Sequence, residues 1–406
     1  MFPLKDKRIR IGGWWSTDPK LISDEYVKAI AENGCDFIMT SQLSDTAKIK
    51  ELLSYCDKYG VECIVYDQRL YDREDVDVAS ITKEYSGYKS YVGNMVKDEP
   101  GTDEFPHLRR VYDKFRAETP GKDAYINLLP MYANAAQLKY GAGAAAIKYY
   151  DKDPDLYKKH LEDYCEAFDT PYLCVDVYPC RNAPDGVTRT IYNGYLENVS
   201  LMAETCRKYN REMWIMVQSL VWYANATPPD EIDLRWQFYT VLAFGAKAIF
   251  HYCLATPPGH TPGLLTSEGT KSDLYYPAQR CHRFLHAIED VYYQYNPVGA
   301  FNVNCTDEYE YLKFSAQYKN FAPIKEVVSD DQLLVGCFEK QDNKGYAFTI
   351  VNMTQISERK TARAKLKIEG KKVTVYADTM SYTIAPVDGY YEFDLPCGEG
   401  AFVTVE

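Results

Sequence analysis

The sequence lacks the hallmarks of several large classes of protein. No Cys-x-x-Cys pair occurs among its 12 cysteines, and neither these nor the six histidines show the spacing of metal ligands. We therefore predict reduced cysteines in the core, and neither a metal nor another cofactor. No apolar run approaches the roughly 18 residues that cross a bilayer, and the first residues form no apolar signal segment. These absences predict a cytoplasmic protein without a membrane partner.

Positive charge is also scarce. The chain of 406 residues has 46 Lys and Arg against 58 Asp and Glu, a net charge of -12 at pH 7. Phosphate backbones and anionic lipids repel such a chain, which disfavours nucleic acid and membrane surfaces as partners. Aromatic residues, in contrast, are abundant, with 37 Tyr and five Trp. Their flat faces and polar edges suit a small neutral carbohydrate, although an aromatic core would need the same residues.

Eight apolar segments alternate with helical patterns over the first 298 residues. A typical helical stripe is Ile49, Leu52, Leu53 and Cys56, which recur at i, i+3, i+4 and i+7. Strands buried this fully need cover on both faces, which favours a closed parallel barrel over an open sheet. The sequence therefore predicts an α/β fold, a (β/α)8 TIM barrel, with strands at 8–15, 36–41, 61–67, 91–100, 123–130, 171–179, 212–219 and 246–253.

From about residue 300 the hydrophobic period changes from 3.6 to 2. Short alternating runs separated by Gly, Asn and Asp turns indicate antiparallel strands at 333–338, 346–351, 364–368, 373–376, 390–395 and 401–405. The prediction is a barrel domain over residues 1–298 followed by a small antiparallel β-sandwich over residues 299–406. Because no low-complexity linker separates them, we expect rigid packing.

Two adjacent acids lie at the end of the fourth predicted strand, where barrel enzymes carry their functional residues. The strand ends in Lys97-Asp98-Glu99-Pro100, and Asp176 ends the sixth strand. Glycoside hydrolysis needs two carboxyl groups, one to protonate the leaving oxygen and one to attack or to activate water. We predict Glu99, Asp176 and Asp98 as catalytic candidates, with a raised pKa for Glu99 beside Asp98. Structural roles are the alternative for each.

The remaining polar and aromatic residues at strand ends are candidates for binding a sugar, and all are expected to face one cavity. For Asp67 and Arg69 the alternative is a salt bridge, for His251 a core histidine, and for Trp222 a buried hydrophobe. Segments 131–152 and 254–272 are expected to shape the cavity. The predicted substrate-binding residues are Trp14, Trp15, Asp67, Arg69, Asn127, Tyr178, Gln218, Trp222 and His251.

The segment Val-Lys-Asp98-Glu99-Pro and the stretch 234–251 resemble clan A glycoside hydrolases, and the layout resembles β-galactosidase-like barrels with a C-terminal β domain. The resemblance implies that Glu99 is the acid/base and that Asp98 replaces a sugar-binding Asn. It also implies a nucleophilic Glu at the end of strand seven, where this chain has Gln218. The departure leaves open a second carboxylate at Asp176 or Asp67, an inverting enzyme, lost catalysis, or a substitution introduced into this chain.

We therefore predict a glycoside hydrolase that acts on a small oligosaccharide or glycoside. The alternative suggested by Gln218 is a carbohydrate-binding barrel without catalysis. A third hypothesis is a lyase or isomerase with Asp67, Asp98 and His251 as metal ligands. It is weaker, because these residues lie on separate strands without a recognisable ligand motif. The sequence does not predict an oligomeric state.

Overall fold

The computed structural model describes residues 7–16, 18–144, 153–182, 186, 188–192, 194–221, 228–261, 263–304, 321–354 and 356–406. Its first ten strands are β1 (Arg10–Gly13), β2 (Phe37–Met39), β3 (Glu62–Val65), β4 (Tyr91–Asp98), β5 (Asp123–Asn127), β6 (Tyr172–Asp176), β7 (Cys180–Asn182), β8 (Arg189–Ile191), β9 (Glu212–Gln218) and β10 (Ala246–Tyr252). Strands β7 and β8 form a separate antiparallel pair. The other eight form the predicted parallel sheet.

The parallel sheet closes on itself. Its order is β5-β4-β3-β2-β1-β10-β9-β6. At the two ends of this order, the Leu128 N–H donates to the carbonyl oxygen of Cys174 at 2.9 Å, and Leu128 forms a parallel bridge with Val175. This contact joins the segment after β5 to β6, so the predicted eight-stranded barrel is confirmed.

Helices cover the outside of the barrel. They are α1 (Asp24–Glu32), α2 (Thr46–Tyr59), α3 (Val78–Lys83), α4 (Phe105–Glu118), α5 (Ala135–Tyr140), α6 (Pro154–Ala167), α7 (Tyr195–Tyr209), α8 (Glu231–Ala243) and α9 (Tyr275–Tyr292). Local chemistry sets their ends: the Ser23 side chain accepts from the Tyr26 N–H at the start of α1, and Gly60 ends α2 with a φ of 72°.

Alternation along the strands divides their side chains between two cores. Residues such as Ile11, Ile38 and Val65 point outward and pack under the helices. Inward-pointing rings fill the bore, where Tyr172 and Trp214 stack with ring centroids 3.7 Å apart. Because these rings occupy the middle of the barrel, a ligand can enter only beyond them.

The remaining strands form the predicted antiparallel β domain. They are β11 (Tyr295–Val303), β12 (Ile324–Val328), β13 (Leu333–Lys340), β14 (Tyr346–Asn352), β15 (Ala362–Ile368), β16 (Val373–Ala377), β17 (Met380–Ile384), β18 (Tyr391–Leu395) and β19 (Gly400–Val405). They build sheets of order β11-β13-β14-β19-β16-β17 and β12-β15-β18 around a common apolar core. Strand β11 pairs with β13 from Tyr295 onward, so the predicted boundary at 298/299 falls inside a strand of this domain.

The β domain packs against helix α8. Phe338 and Phe402 of the β domain belong to the same apolar cluster as the helices of the barrel, and the ring of Phe402 contacts that of Tyr292 on helix α9. The eleven cysteines in the described ranges are free and buried, whereas Cys305 lies outside those ranges. None of the helices in the described part of the chain has the length and apolarity that a bilayer crossing needs.

Candidate active site

A cavity of about 440 Å³, here called the carboxylate cavity, lies at the C-terminal ends of the barrel strands. Three predicted acids line it: Asp98, Glu99 and Asp176. Four further predicted residues do so too: Trp14, Trp15, Asn127 and Tyr178. The cavity therefore combines carboxyl groups with aromatic faces, as the binding of a polar, ring-shaped ligand requires.

An unusual backbone conformation brings the adjacent acids Asp98 and Glu99 to one cavity. Strand alternation would send their side chains to opposite faces. Glu99 instead has a φ of 46°, in the left-handed region that few residues other than glycine adopt. Its N–H donates to Asn127 O at 2.9 Å, and its carbonyl oxygen accepts from the Ala142 N–H at 3.1 Å. The surrounding chain thus holds a strained conformation at the candidate acid.

Asn127 links the other two acids. Its Nδ2 donates to Asp98 Oδ1 at 3.2 Å and to Asp176 Oδ1 at 2.8 Å, so one amide nitrogen separates the two carboxylates. Asn127 is buried, and its Oδ1 has no hydrogen-bond partner among the described residues. An unpaired buried acceptor is costly, and this one lies in the wall of the cavity.

The surroundings of the three acids raise their pKa values for different reasons. Burial raises the pKa of Glu99 well above its usual value, and the charges of Asp176 and Asp98 raise it further. Burial also raises the pKa of Asp98 to about 7, with a further contribution from Asp176. For Asp176 burial raises the pKa to about 6, opposed by hydrogen bonds from Asn127 and Tyr178. Hydrogen bonds from Asn127 and Tyr178 thus favour the ionised form of Asp176, whereas burial and two neighbouring charges oppose the ionisation of Glu99.

Asp67 and Arg69 do not line this cavity, contrary to the expectation that all candidates share it. Asp67 is fully buried, and its Oδ2 accepts from Arg69 Nη2 at 2.7 Å and from Tyr85 Oη at 3.1 Å. Since Ile64 points into the bore, alternation along the chain brings Tyr66 inward and turns Asp67 outward. The arrangement is the salt bridge that the sequence left open as an alternative.

His251 is likewise outside the cavity, in a buried hydrogen-bonded chain. Its Nδ1 contacts the Ser219 hydroxyl, and its Nε2 lies 2.7 Å from Nε2 of His282. Nδ1 of His282 donates to Asn33 O at 2.9 Å, so Nε2 of His251 must supply the proton between the two rings. Burial lowers the pKa of both histidines, that of His282 to about 3, and both are neutral. This is the core-histidine alternative.

Gln218 is also absent from the cavity wall. Its Oε1 accepts from the Cys180 N–H at 2.8 Å, and its Nε2 donates to Leu220 O at 3.2 Å. Both contacts need an amide, since a carboxylate would place an oxygen against the Leu220 carbonyl without a proton. Glutamine therefore fits this position as it stands. Trp222, the other candidate after strand β9, lies outside the described residues.

Several cavity residues were not singled out from the sequence: Tyr66, Tyr132, Gln137, Met216 and Tyr252. Strand alternation predicts the inward position of three of them, Tyr66, Met216 and Tyr252. Each lies two residues after a residue that points into the bore, namely Ile64, Trp214 and Phe250. Tyr132 and Gln137 belong to segment 131–152, which was expected to shape the cavity. Its described part does so.

The set Asp67, Asp98 and His251, considered as metal ligands, is not assembled. Asp67 pairs with Arg69, and His251 contacts Ser219 and His282. Within the described ranges, no group of three or more His, Cys, Asp or Glu side chains is arranged to hold a metal ion. The hypothesis of a metal-dependent lyase or isomerase therefore has no geometric support.

The chain matches no family model and no curated protein in sequence. In structure it is similar to β-galactosidase from Bacillus circulans sp. alkalophilus, with a TM-score of 0.58 at 8% identity over 100% of both chains. It is also similar to the β-galactosidases of Marinomonas ef1 (TM-score 0.50, 11% identity, 70% of this chain) and Rahnella sp. R3 (TM-score 0.50, 12% identity, 71% of this chain). It spans 60% and 57% of the lengths of those two enzymes. The chain thus has the fold of these glycoside hydrolases, a TIM barrel followed by β strands.

Proposed function

We propose that this protein is a glycoside hydrolase that cleaves the glycosidic bond of a small oligosaccharide or glycoside. The observation that carries the proposal is the carboxylate cavity, where Asp98, Glu99 and Asp176 meet at the C-terminal ends of the barrel strands. Their environments separate their pKa values, as an acid and a base at one site require. Glycosidases that share the fold support the proposal by analogy.

Glu99 is the proposed general acid. It is half-buried in the cavity wall, and its pKa is raised, so it holds a proton that can pass to the departing glycosidic oxygen. The proposed partner is Asp176, whose carboxylate Asn127 and Tyr178 stabilise. It either attacks the anomeric carbon or activates water for that attack. Asp98 then remains to bind a hydroxyl group of the sugar.

The replacement Glu99→Gln tests the proposal, because the amide keeps the shape of the side chain but has no acidic proton. We expect kcat to fall by about 10²–10⁴-fold, while sugar binding measured by titration calorimetry changes little. The wild-type kcat/KM is expected to rise with pH as Asp176 ionises and to fall as Glu99 ionises. The matched control is Glu25→Gln, an exposed change on helix α1 that should leave both properties unaffected.

Two outcomes would contradict the proposal in different ways. Unchanged turnover in the Glu99→Gln variant would remove Glu99 from the chemistry. A wild-type protein that binds sugars but releases no product over days would be a carbohydrate-binding barrel instead. The second outcome is the alternative that the sequence raised.

A further inference from the structure

A second cavity of about 270 Å³ adjoins the carboxylate cavity. Trp15 and Gln42 line both cavities, so the two spaces share a wall. We call the second space the proline cavity, after the three prolines in its lining. Its other lining residues are Asp18, Pro19, Ser41, Ala255, Thr256, Pro257 and Pro258. Part of segment 254–272 therefore shapes this cavity.

Trp15 stands at the junction in an uncommon conformation. Strand β1 ends at Gly13, and the next residue, Trp14, packs in the bore. Trp15 has a φ of 46° and is 36% exposed, a large exposed fraction for a tryptophan. The left-handed backbone places this side chain at the end of the barrel, where it contacts both cavities. A ligand that extends from one cavity into the other would pass along the indole ring.

The accessible lining of the proline cavity is mainly apolar, although Asp18, Ser41 and Gln42 contribute polar groups to it. The Thr256 hydroxyl already donates to Leu265 O at 2.6 Å and accepts from the Gly263 N–H at 2.7 Å. Asp18 Oδ1 accepts from the Lys20 N–H at 2.9 Å. A sugar loses hydrogen bonds to water when such walls bury it, whereas an apolar ring loses none. The prolines, Ala255 and Trp15 supply a rigid apolar surface for such a ring.

We infer that the proline cavity binds an apolar, ring-containing aglycone whose sugar occupies the carboxylate cavity. This inference rests on the proposed function and narrows its substrate class to glycosides of apolar alcohols. In the reaction the bond from the anomeric carbon to the glycosidic oxygen breaks. The alcohol leaves with the proton of Glu99, and water supplies the hydroxyl of the sugar and restores that proton. The released alcohol then lies in the proline cavity.

Methyl and benzyl glycosides of the same sugar test this inference, because their alcohols have similar acidity and differ chiefly in the apolar ring. Over a panel of common pyranoses, both anomers included, we expect the best benzyl glycoside to have a kcat/KM about 10-fold or more above its methyl counterpart. Pro257→Asp places a charge in the proline cavity and should reduce that ratio to near one. Pro257→Ala, the matched control, should retain most of it.

A binding measurement separates this inference from the proposed function. Benzyl alcohol should bind to the wild type in titration calorimetry, and Pro257→Asp should weaken that binding about 10-fold. Such binding without cleavage of any glycoside would end the proposed function and leave the cavity assignment standing. Equal cleavage of methyl and benzyl glycosides, or no effect of Pro257→Asp, would overturn the assignment. If Pro257→Asp does not fold, Pro19→Asp places the same charge at another position of the lining.

Discussion

Asp176 is a buried acid and Asp98 and Glu99 are half-buried, and the protein holds the three together at a cost to its stability. Burial and mutual repulsion raise all three pKa values, which means that the folded state disfavours their ionised forms. The amide of Asn127 offsets part of this cost by donating to two of them. Such an arrangement is typical of a functional site, where stability is given up for reactivity.

Asp98→Asn should therefore stabilise the protein, and only at higher pH. The folded pKa of Asp98 is raised to about 7 from 3.8, so below pH 3.8 the group is neutral in both states and above about 7 it is ionised in both. The wild type thus loses stability as pH rises through this window, and the variant does not. We expect the variant to unfold with a free energy higher by on the order of 2–4 kcal/mol at pH 8, and with roughly a quarter of that difference near pH 4.5.

Urea unfolding at the two pH values measures this difference. The control is Asp290→Asn, the same substitution at an exposed position of helix α9 outside the cavity. An Asp98→Asn variant that is less stable than the wild type at pH 8 would show that another group stabilises the ionised carboxylate of Asp98.

The sequence of a strand predicts, by alternation, which of its side chains point into the cavity. In β10 alternation sends His251 outward and brings Tyr252 into the cavity, and beyond β3 it does the same for Asp67 and Tyr66. The candidates His251 and Asp67 are polar residues at strand ends, but their side chains point away from the cavity. Their neighbours Tyr252 and Tyr66 line it instead. Parity also fails at Glu99, because its left-handed backbone breaks the alternation and nothing in a glutamate predicts that conformation.

Gln218→Glu tests the role of the end of strand β9. The glutamine joins this strand to Cys180 on β7 through an amide that both donates and accepts. A buried carboxylate at this position would lose the bond to Leu220 O and remain poorly solvated. We expect the free energy of unfolding to fall by about 1–3 kcal/mol at neutral pH, without a gain in turnover.

Denaturant unfolding beside a product assay distinguishes the possibilities for this variant. Gln68→Glu, at an exposed position, is the matched control and should change neither property. A stable Gln218→Glu variant with higher turnover and a covalent glycosyl intermediate would show that position 218 reaches the substrate after all.

The barrel and the β domain unfold together if their shared core is as continuous as the packing indicates. Phe338 and Phe402 from the β domain join the apolar cluster of the barrel, and Gly336 lies directly against helix α8. A Cβ atom on Gly336 would lie 2.1 Å from Ala243 O, a distance that backbone atoms cannot accommodate without moving. The interface is therefore close-packed as well as apolar.

Gly336→Ala should destabilise both domains. We expect a loss of about 1–3 kcal/mol, because the methyl group forces the sheet away from helix α8. All five tryptophans lie at or before residue 236, so tryptophan fluorescence reports on the barrel, although the substitution is in the β domain. The fluorescence midpoint in urea should fall together with that of far-ultraviolet circular dichroism. The control is Gly87→Ala, where a Cβ atom meets nothing within 4 Å.

A fluorescence midpoint that stays at the wild-type value while the circular dichroism shifts would show two independent domains. That result would contradict the single cooperative unit inferred from the common apolar cluster.

Periodicity and turn chemistry, read from the sequence alone, determined the eight barrel strands, the change to an antiparallel β domain and the inward position of Asp176. These features depend on neighbours along the chain, so a local pattern contains them. Only the tertiary structure decided that Asp67 pairs with Arg69, that Gln218 is bound by Cys180, and that Asn127 joins acids from β4 and β6. The last two contacts join residues that are far apart in the chain and depend on barrel closure, and the first depends on Asp67 facing away from the cavity. No short segment specifies these arrangements or the left-handed backbone at Glu99.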